Sequence, residues 1–408
     1  MTNPLRHISD AQRRARLATR HALTQSNRVA SPAAATAAMT VLHATEPATV
    51  YLSCWARVHG LQIVDVDVAF LTDRTLMKQL AMRRTLFVFP RDLLPAAWPS
   101  ASARVARSQR SRMAKDLVRA GITNDGNNWL DQAQTDIAAV LANTPNGLST
   151  QEIRRRVPRI DVTIAAPGAE PWSAPQLLTY LGATAHIVRG VHDGRFPAPR
   201  PRWTLTGNWL DNTSAPWTAP DGYRELVRRW LHAFGPGTEE DIVWWLGATK
   251  TVVRDALAEL DAVPVSLDGD GRGWLLPGDL DDVPTPDPWV ALLPVLDATT
   301  MGWKQRNFFL GNHATQVFDN RGNAGTTAWV NGSVVGCWVQ DDNATVQVRL
   351  LEHVATPARQ ALDREGARLT AWLDGTQIGT GYKSPAMKDP APAPPSTTTP
   401  FPSDQTNP

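Results

Sequence analysis

Apolar positions recur at helical spacing in three early stretches, Ala11 to Leu23, Pro32 to Leu42 and Pro47 to His59. They predict a mostly helical region from about Ser9 to Trp129, with one strand at Thr85 to Pro90. A helix over Ser100 to Arg119 closes this region and carries Arg104, Arg107, Arg110, Arg112, Lys115 and Arg119 among small residues. From Asp131 the pattern changes and then repeats. The first copy reads as a helix over Asp131 to Asn143, a TPNG turn and a second helix opened by a Ser149/Glu152 capping box. A third helix over Ala174 to Gly182, the strand Ala185 to Val191, an HDGR turn and a strand near Trp203 to Thr206 complete it. The second copy runs through helix Tyr223 to Phe234, a helix opened by Thr238 and a helix over Thr249 to Leu260. Strands Val263 to Leu267 and Trp274 to Leu276, joined by DGDGRG, close it.

Three helices closed by a two-stranded wing is the winged-helix variant of helix-turn-helix. The run after Trp289 is β-rich, with Asn331-Gly332 between two apolar strands as a two-residue hairpin signal. The expected fold class is therefore α+β. A helical N-terminal lobe (1–130) precedes winged-helix modules at 131–210 and 221–280, a β-rich domain (288–355) and a C-terminal helix (356–383). The Pro/Ser/Thr-rich tail, 384–408, is too poor in apolar residues to order itself.

Charge sharpens this picture. The net value of +2 hides 18 Lys and Arg against 7 Asp and Glu in Met1 to Ala120, and 3 against 13 in Pro236 to Thr300. Such polarity means either that one face meets a polyanion or that the two segments attract each other. The third helices of the modules are poorly equipped to read base edges: one carries Asp255, Glu259 and Asp261, and the other has Gln176 but no basic residue. The modules thus read as scaffold, with the DNA-facing charge elsewhere. The 408-residue chain has no apolar run long enough for a membrane span and no signal-peptide pattern, so a cytoplasmic, nucleoid-associated location without membrane contact is expected. Two distant cysteines, Cys54 and Cys337, support neither a disulfide framework nor a zinc site. No metal-ligand spacing, phosphate-binding glycine pattern or GxSxG elbow occurs.

Three segments, LHATEPATVYLSCWARV (Leu42 to Val58), MRRTLFVF (Met82 to Phe89) and LLPVLDATTMGWKQRNFFLGNH (Leu292 to His313), carry a family likeness. With the Arg-rich N-terminal helix and the tandem modules, the chain resembles the AlkZ-like and YcaQ-like winged-helix DNA glycosylases from about Leu17 to His353. That resemblance implies excision of a damaged base from double-stranded DNA by a monomer, without metal or organic cofactor. In the AlkZ-like branch a Gln-aliphatic-Gln triplet occupies the place of His43-Ala44-Thr45, so both polar positions depart here. The departure brings a deaminated purine such as hypoxanthine into consideration beside an alkylated base.

Hydrolysis of an N-glycosidic bond passes through an oxocarbenium-like sugar, which asks for a group that orients water and a carboxylate near the developing cation. The base must also be turned out of the duplex. His43 is the candidate to orient water or protonate a leaving purine, Thr45 to position the water, and Asp297 to serve as the carboxylate. Each has a plainer role: a structural histidine, an N-cap before Pro47, and a turn residue. The expected DNA contacts are Arg83, Arg84, Arg104, Arg107 and Arg110, with Trp303, Lys304 and Arg306 in the GWKQR loop. No motif places a lysine for Schiff-base chemistry, so water is the expected nucleophile. The rival from another class is a non-catalytic winged-helix transcriptional regulator, which would dimerise on a preferred sequence.

Overall fold

A computed structural model of the chain describes residues 5–211, 215 and 217–388. The N-terminal lobe contains β1 (His7–Ile8), α1 (Asp10–Arg20), α2 (Pro32–Ala38), β2 (Leu42–His43), α3 (Pro47–Arg57), α4 (Ile63–Leu71), β3 (Leu76–Leu80), β4 (Leu86–Pro90), α5 (Leu94–Ala97) and α6 (Ala103–Arg119). Side-chain oxygens of Ser9 and Ser31 accept from the first turns of α1 and α2, and proline occupies the first turn of α2 and α3, where its missing N–H costs nothing. Strands β2, β4 and β3 form one antiparallel sheet in that order.

The helix, helix, helix, hairpin order recurs as expected. The first module is α7 (Gly126–Ala142), α8 (Thr150–Arg156), α9 (Ala174–Ala183), β5 (Ile187–Asp193) and β6 (Arg200–Leu205), followed by the short α10 (Thr206–Trp209). The second is α11 (Ala219–Phe234), α12 (Glu239–Leu246), α13 (Lys250–Glu259), β7 (Val263–Leu267) and β8 (Gly271–Leu275). Both reciprocal caps form: the Ser149 hydroxyl accepts from the Glu152 amide at 3.2 Å while the Glu152 carboxylate accepts from the Ser149 amide at 2.7 Å. Thr238 and Asp241 do the same at 3.1 and 3.0 Å. In the first module, α9 is mostly buried, and its Gly182 carbonyl accepts from Gln79 of β3 at 3.1 Å. A helix so enclosed is not free to enter a major groove.

The last region holds β9 (Val290–Leu293), α14 (Asn307–Leu310), α15 (Ala314–Val317), β10 (Thr327–Val330), β11 (Ser333–Gln340), β12 (Val346–Leu350), α16 (Thr356–Leu373) and α17 (Pro385–Lys388). Its antiparallel sheet runs β12-β11-β10-β9, and Asn331 and Gly332 make the tight turn with φ of 48° and 85°. Apolar side chains of the N-terminal lobe, the second module and this sheet share one continuous core. The inner face of α6 instead packs into the core of the first module.

One expectation needs correction. The tail does not depart from the fold at Ser384: Ser384 and Ala386 are buried, and the Cys337 thiol donates to the Ala386 carbonyl. The remainder of the tail, from Asp389, lies outside the described residues. Part of the charge polarity along the chain is met inside the molecule. Strand β1 pairs in parallel with β7, Arg6 meets Asp282 and His7 meets Asp268, both at 3.0 Å. Arg16 meets Asp279 at 2.8 Å and Arg20 shares the same carboxylate. Arg16 and Arg20 of α1 are therefore spent on the acidic segment, while Arg13 pairs with Asp10 and Arg14 donates to the Phe308 carbonyl. No helix among the described residues is long and apolar enough to cross a membrane.

Candidate active site and nucleic-acid interface

His43 sits on the edge strand β2 directly opposite Phe87 of β4, which in turn faces Gln79 of β3, so these three side chains share one face of the sheet. The His43 and Phe87 rings meet edge to face with centroids 5.0 Å apart. His43 is only 6% exposed, and its Nδ1 is buried with no hydrogen-bond partner among the described residues. Buried polar atoms are mostly paired, so this nitrogen is free to meet a hydrogen-bonding partner. Burial, reinforced by the Arg83 charge and opposed by Asp297, pushes the imidazole down to about 3. The ring is neutral at physiological pH, able to donate or accept a hydrogen bond but without a spare proton. Thr45 is exposed and does not cap α3; Glu46 holds the N-cap position, and its carboxylate accepts from the Gly381 amide at 3.1 Å. Beside Glu46 opens a cavity of about 340 Å³ whose lining includes Thr49, Trp338, Gln340 and Lys383.

Asp297 occupies a different position from the one expected of a carboxylate facing the sugar. It is fully buried, and each oxygen accepts twice: Oδ1 from Arg57 Nη2 at 2.7 Å and the Thr299 amide at 2.9 Å, Oδ2 from the Ser53 hydroxyl at 2.6 Å and Arg57 Nη1 at 2.9 Å. Burial alone would raise its pKa; the Arg57 guanidinium, the Ser53 hydroxyl and the Thr299 amide together outweigh that and hold it below the ordinary carboxylate range. With every lone pair engaged it is an internal tie between α3 and the loop after β9, and direct contact with substrate is not available to it. The network continues inward: Arg57 Nη2 donates to the Thr299 hydroxyl at 2.8 Å, and His21 bridges Thr299 and the Ala233 carbonyl at 2.9 and 3.1 Å.

Next to His43 stands a cationic stack. In the turn between β3 and β4, Arg83 and Arg84 both adopt left-handed backbone with φ of 53° and 58°, a costly conformation for two consecutive non-glycine residues. The Arg83 guanidinium lies 3.9 Å from the centre of the Trp244 ring, and Arg84 is exposed. Arg306 lies 5.0 Å from the same ring and 4.2 Å from Phe318, and its Nε donates to the Trp303 carbonyl at 2.7 Å. Gly247, the left-handed C-cap of α12, closes against this turn: a Cβ there would stand 3.1 Å from the Arg83 amide nitrogen. Arg104 donates to the Gly247 carbonyl.

The other expected DNA contacts are less uniform. Trp303 is a correction: it is 1% exposed, its indole N–H donates to the Phe234 carbonyl at 3.1 Å, and four aromatic rings surround it. A side chain so enclosed cannot touch a duplex. Lys304 reaches solvent but pairs with Glu240 at 2.6 Å. On α6, Arg110 is held bidentately by Asp131 at 2.8 and 2.9 Å, whereas Arg107 is exposed beside Lys115 and Arg119 along an open groove.

Of the residues singled out from sequence, the fold thus gathers His43, Arg83, Arg306 and, through Gly247, Arg104. Sequence reasoning missed Trp244 and also Arg57, the partner of Asp297. The second was within reach, since a buried carboxylate needs a basic partner and Arg57 lies in the LSCWAR run already singled out.

The family model for DNA glycosylase AlkZ-like proteins matches residues 36–372. Among solved structures, the Streptomyces sahachiroi DNA glycosylase AlkZ is similar, with a TM-score of 0.71 at 18% identity over 90% of this chain and 97% of that one. No curated protein sequence matches the chain. With more than half of its length inside the family match, the chain belongs to the AlkZ-like DNA glycosylase family.

Proposed function

We propose that this protein is a monofunctional DNA glycosylase of base excision repair that acts as a monomer on double-stranded DNA and releases an alkylated base that already carries positive charge. The observation that carries this reading is the state of His43: nearly buried, with an unpartnered nitrogen, and neutral beside uncompensated guanidiniums.

Glycosidic cleavage moves the bonding electron pair from C1′ to the base nitrogen. A neutral base such as hypoxanthine needs a proton to accept that pair readily, whereas a purine alkylated at N3 or N7 is cationic and leaves as a neutral molecule. His43 has no proton to give at neutral pH, and Asp297 is ionised and enclosed. The residues present therefore favour the charged leaving group over the deaminated purine. His43 can accept a hydrogen bond from the attacking water or donate one to the base edge. Thr45, exposed two residues further on, is the candidate to position that water, which adds to C1′ and releases its proton to solvent. Arg83, Arg84, Arg107 and Arg306 supply cationic contacts for the backbone. The enclosed α9 speaks against the regulator reading.

The test is incubation of the purified chain with duplexes holding one 7-methylguanine, 3-methyladenine, hypoxanthine, uracil or an interstrand crosslink, followed by alkaline strand cleavage. Scission at the methylated purines with none at hypoxanthine supports the reading; scission at hypoxanthine alone overturns it.

A further inference from the structure

Several partly buried arginines here have a carboxylate, whereas Arg74 and Arg189 instead donate to an oxygen of Trp209 and Thr179. Arg16 and Arg20 have Asp279, Arg28 has Glu365 and Arg57 has Asp297. Arg83 and Arg306 do not. Among the described residues Arg83 makes no ion pair or hydrogen bond through its side chain, and its Nε is buried without a partner. Among the described residues Arg306 makes a single side-chain hydrogen bond, to the Trp303 carbonyl. The neighbouring acid, Asp241, has already committed its oxygens to the Thr238 amide and hydroxyl and to the amides of Lys304 and Gln305, the last two at 2.9 and 2.8 Å.

Two guanidiniums withdrawn from water without a counter-charge are unfavourable unless a ligand supplies the missing anion. Their placement is nonetheless enforced. The left-handed Arg83-Arg84 backbone is braced by Gly247 at the end of α12, and Trp244 on the same helix holds both guanidiniums by its ring. Guanidinium stacked on an aromatic surface keeps its N–H fork free, and that fork matches the oxygens of a phosphodiester. Because its ring is already engaged by arginines, Trp244 is not left open as a platform for a base.

We infer that Arg83 and Arg306, held on Trp244, form a receptor for one backbone phosphate flanking the nucleotide processed at His43, with Trp244 as the positioning residue. The inference rests on the glycosylase reading for the identity of the nucleotide, and on unpaired charge for the phosphate.

The experiment measures equilibrium binding of the full chain to a duplex holding a tetrahydrofuran abasic analogue, with methylphosphonate replacing one phosphate at a time around it. Wild type should lose roughly ten- to hundredfold in affinity at one flanking position, the range of a charge-assisted hydrogen bond. The R83Q/R306Q variant should bind the unmodified duplex as weakly as that, lose nothing further at that position, and show a salt slope smaller by about 1. W244L should behave like the double variant and W244F like wild type, with thermal unfolding establishing that each is folded. Equal methylphosphonate losses in wild type and R83Q/R306Q, an unchanged salt slope, or no duplex binding by wild type overturns the phosphate receptor. Excision of 7-methylguanine is scored in parallel. Excision with equal losses removes the receptor alone, and phosphate-coupled binding with no excision from any lesion removes the glycosylase reading alone.

Discussion

Arg57 and Asp297 face each other in the interior with both side chains fully enclosed, joined by two hydrogen bonds of 2.7 and 2.9 Å. A buried pair of this kind is far more sensitive to losing one member than both, because the survivor is left charged and unpartnered. Asp297→Asn and Arg57→Met should each lower unfolding free energy by about 3–5 kcal/mol in a denaturant titration. The double variant Arg57→Met/Asp297→Leu should lose less than the sum of the two. Single losses below about 1 kcal/mol would show that the pair is not a structural tie.

Trp303 separates interior from interface. Trp303→Ala removes a large core side chain and should cost about 3–5 kcal/mol of stability, while the salt dependence of duplex binding by the folded fraction stays as in wild type. A normal unfolding midpoint with a reduced salt slope would restore Trp303 to the DNA surface.

The two basic residues Arg107 and Arg110 lie one helical turn apart on α6, yet Asp131 neutralises only the second. Arg107→Ala should therefore reduce the salt slope of duplex binding by about 1, and Arg110→Ala should change it little. The reverse order would mean that the Asp131 pair opens on binding.

His21 and His43 are both pushed down to about 3, chiefly by burial. In the unfolded chain each titrates near the ordinary histidine value of about 6.5, so the folded state binds fewer protons between those values. Their contribution to stability is present above pH 6.5 and is lost as pH falls toward 3, by up to about 1.4 kcal/mol per pH unit for each histidine. Unfolding free energy measured from pH 7 to 4 should fall in wild type and fall less steeply in His43→Phe. Equal slopes would place His43 in solvent.

The periodicity and capping signals made the architecture readable because they are local: Ser149/Glu152, Thr238 and the Asn331-Gly332 turn each name their element within a few residues. Even the bounds of β7 were legible. The site was legible only in part. His43 and the Arg83-Arg84 turn lie in segments whose composition marks them. Trp244 earns its place from a contact with Arg83 across 161 positions of sequence, which no local pattern encodes. Asp297 illustrates the converse: VLDATT reads as a turn with a free carboxylate, and only the long-range approach of Ser53 and Arg57 turns it into a tie. The charge polarity was visible, but sequence alone left open whether the acidic partner was a nucleic acid or residues 268–282 of the same chain. For Arg6, His7, Arg16 and Arg20 it is the latter.

The central claim is that the site orients water without donating a proton to the leaving base. Its most direct test is the single-turnover rate of 7-methylguanine release from duplex DNA between pH 5.5 and 8.5, in wild type and in His43→Ala. The account predicts a wild-type rate without an inflection near 6.5 and a loss of roughly a hundredfold in His43→Ala, with duplex affinity near normal. A wild-type rate that falls as a neutral-range histidine loses its proton, or an unchanged rate in His43→Ala, would contradict it.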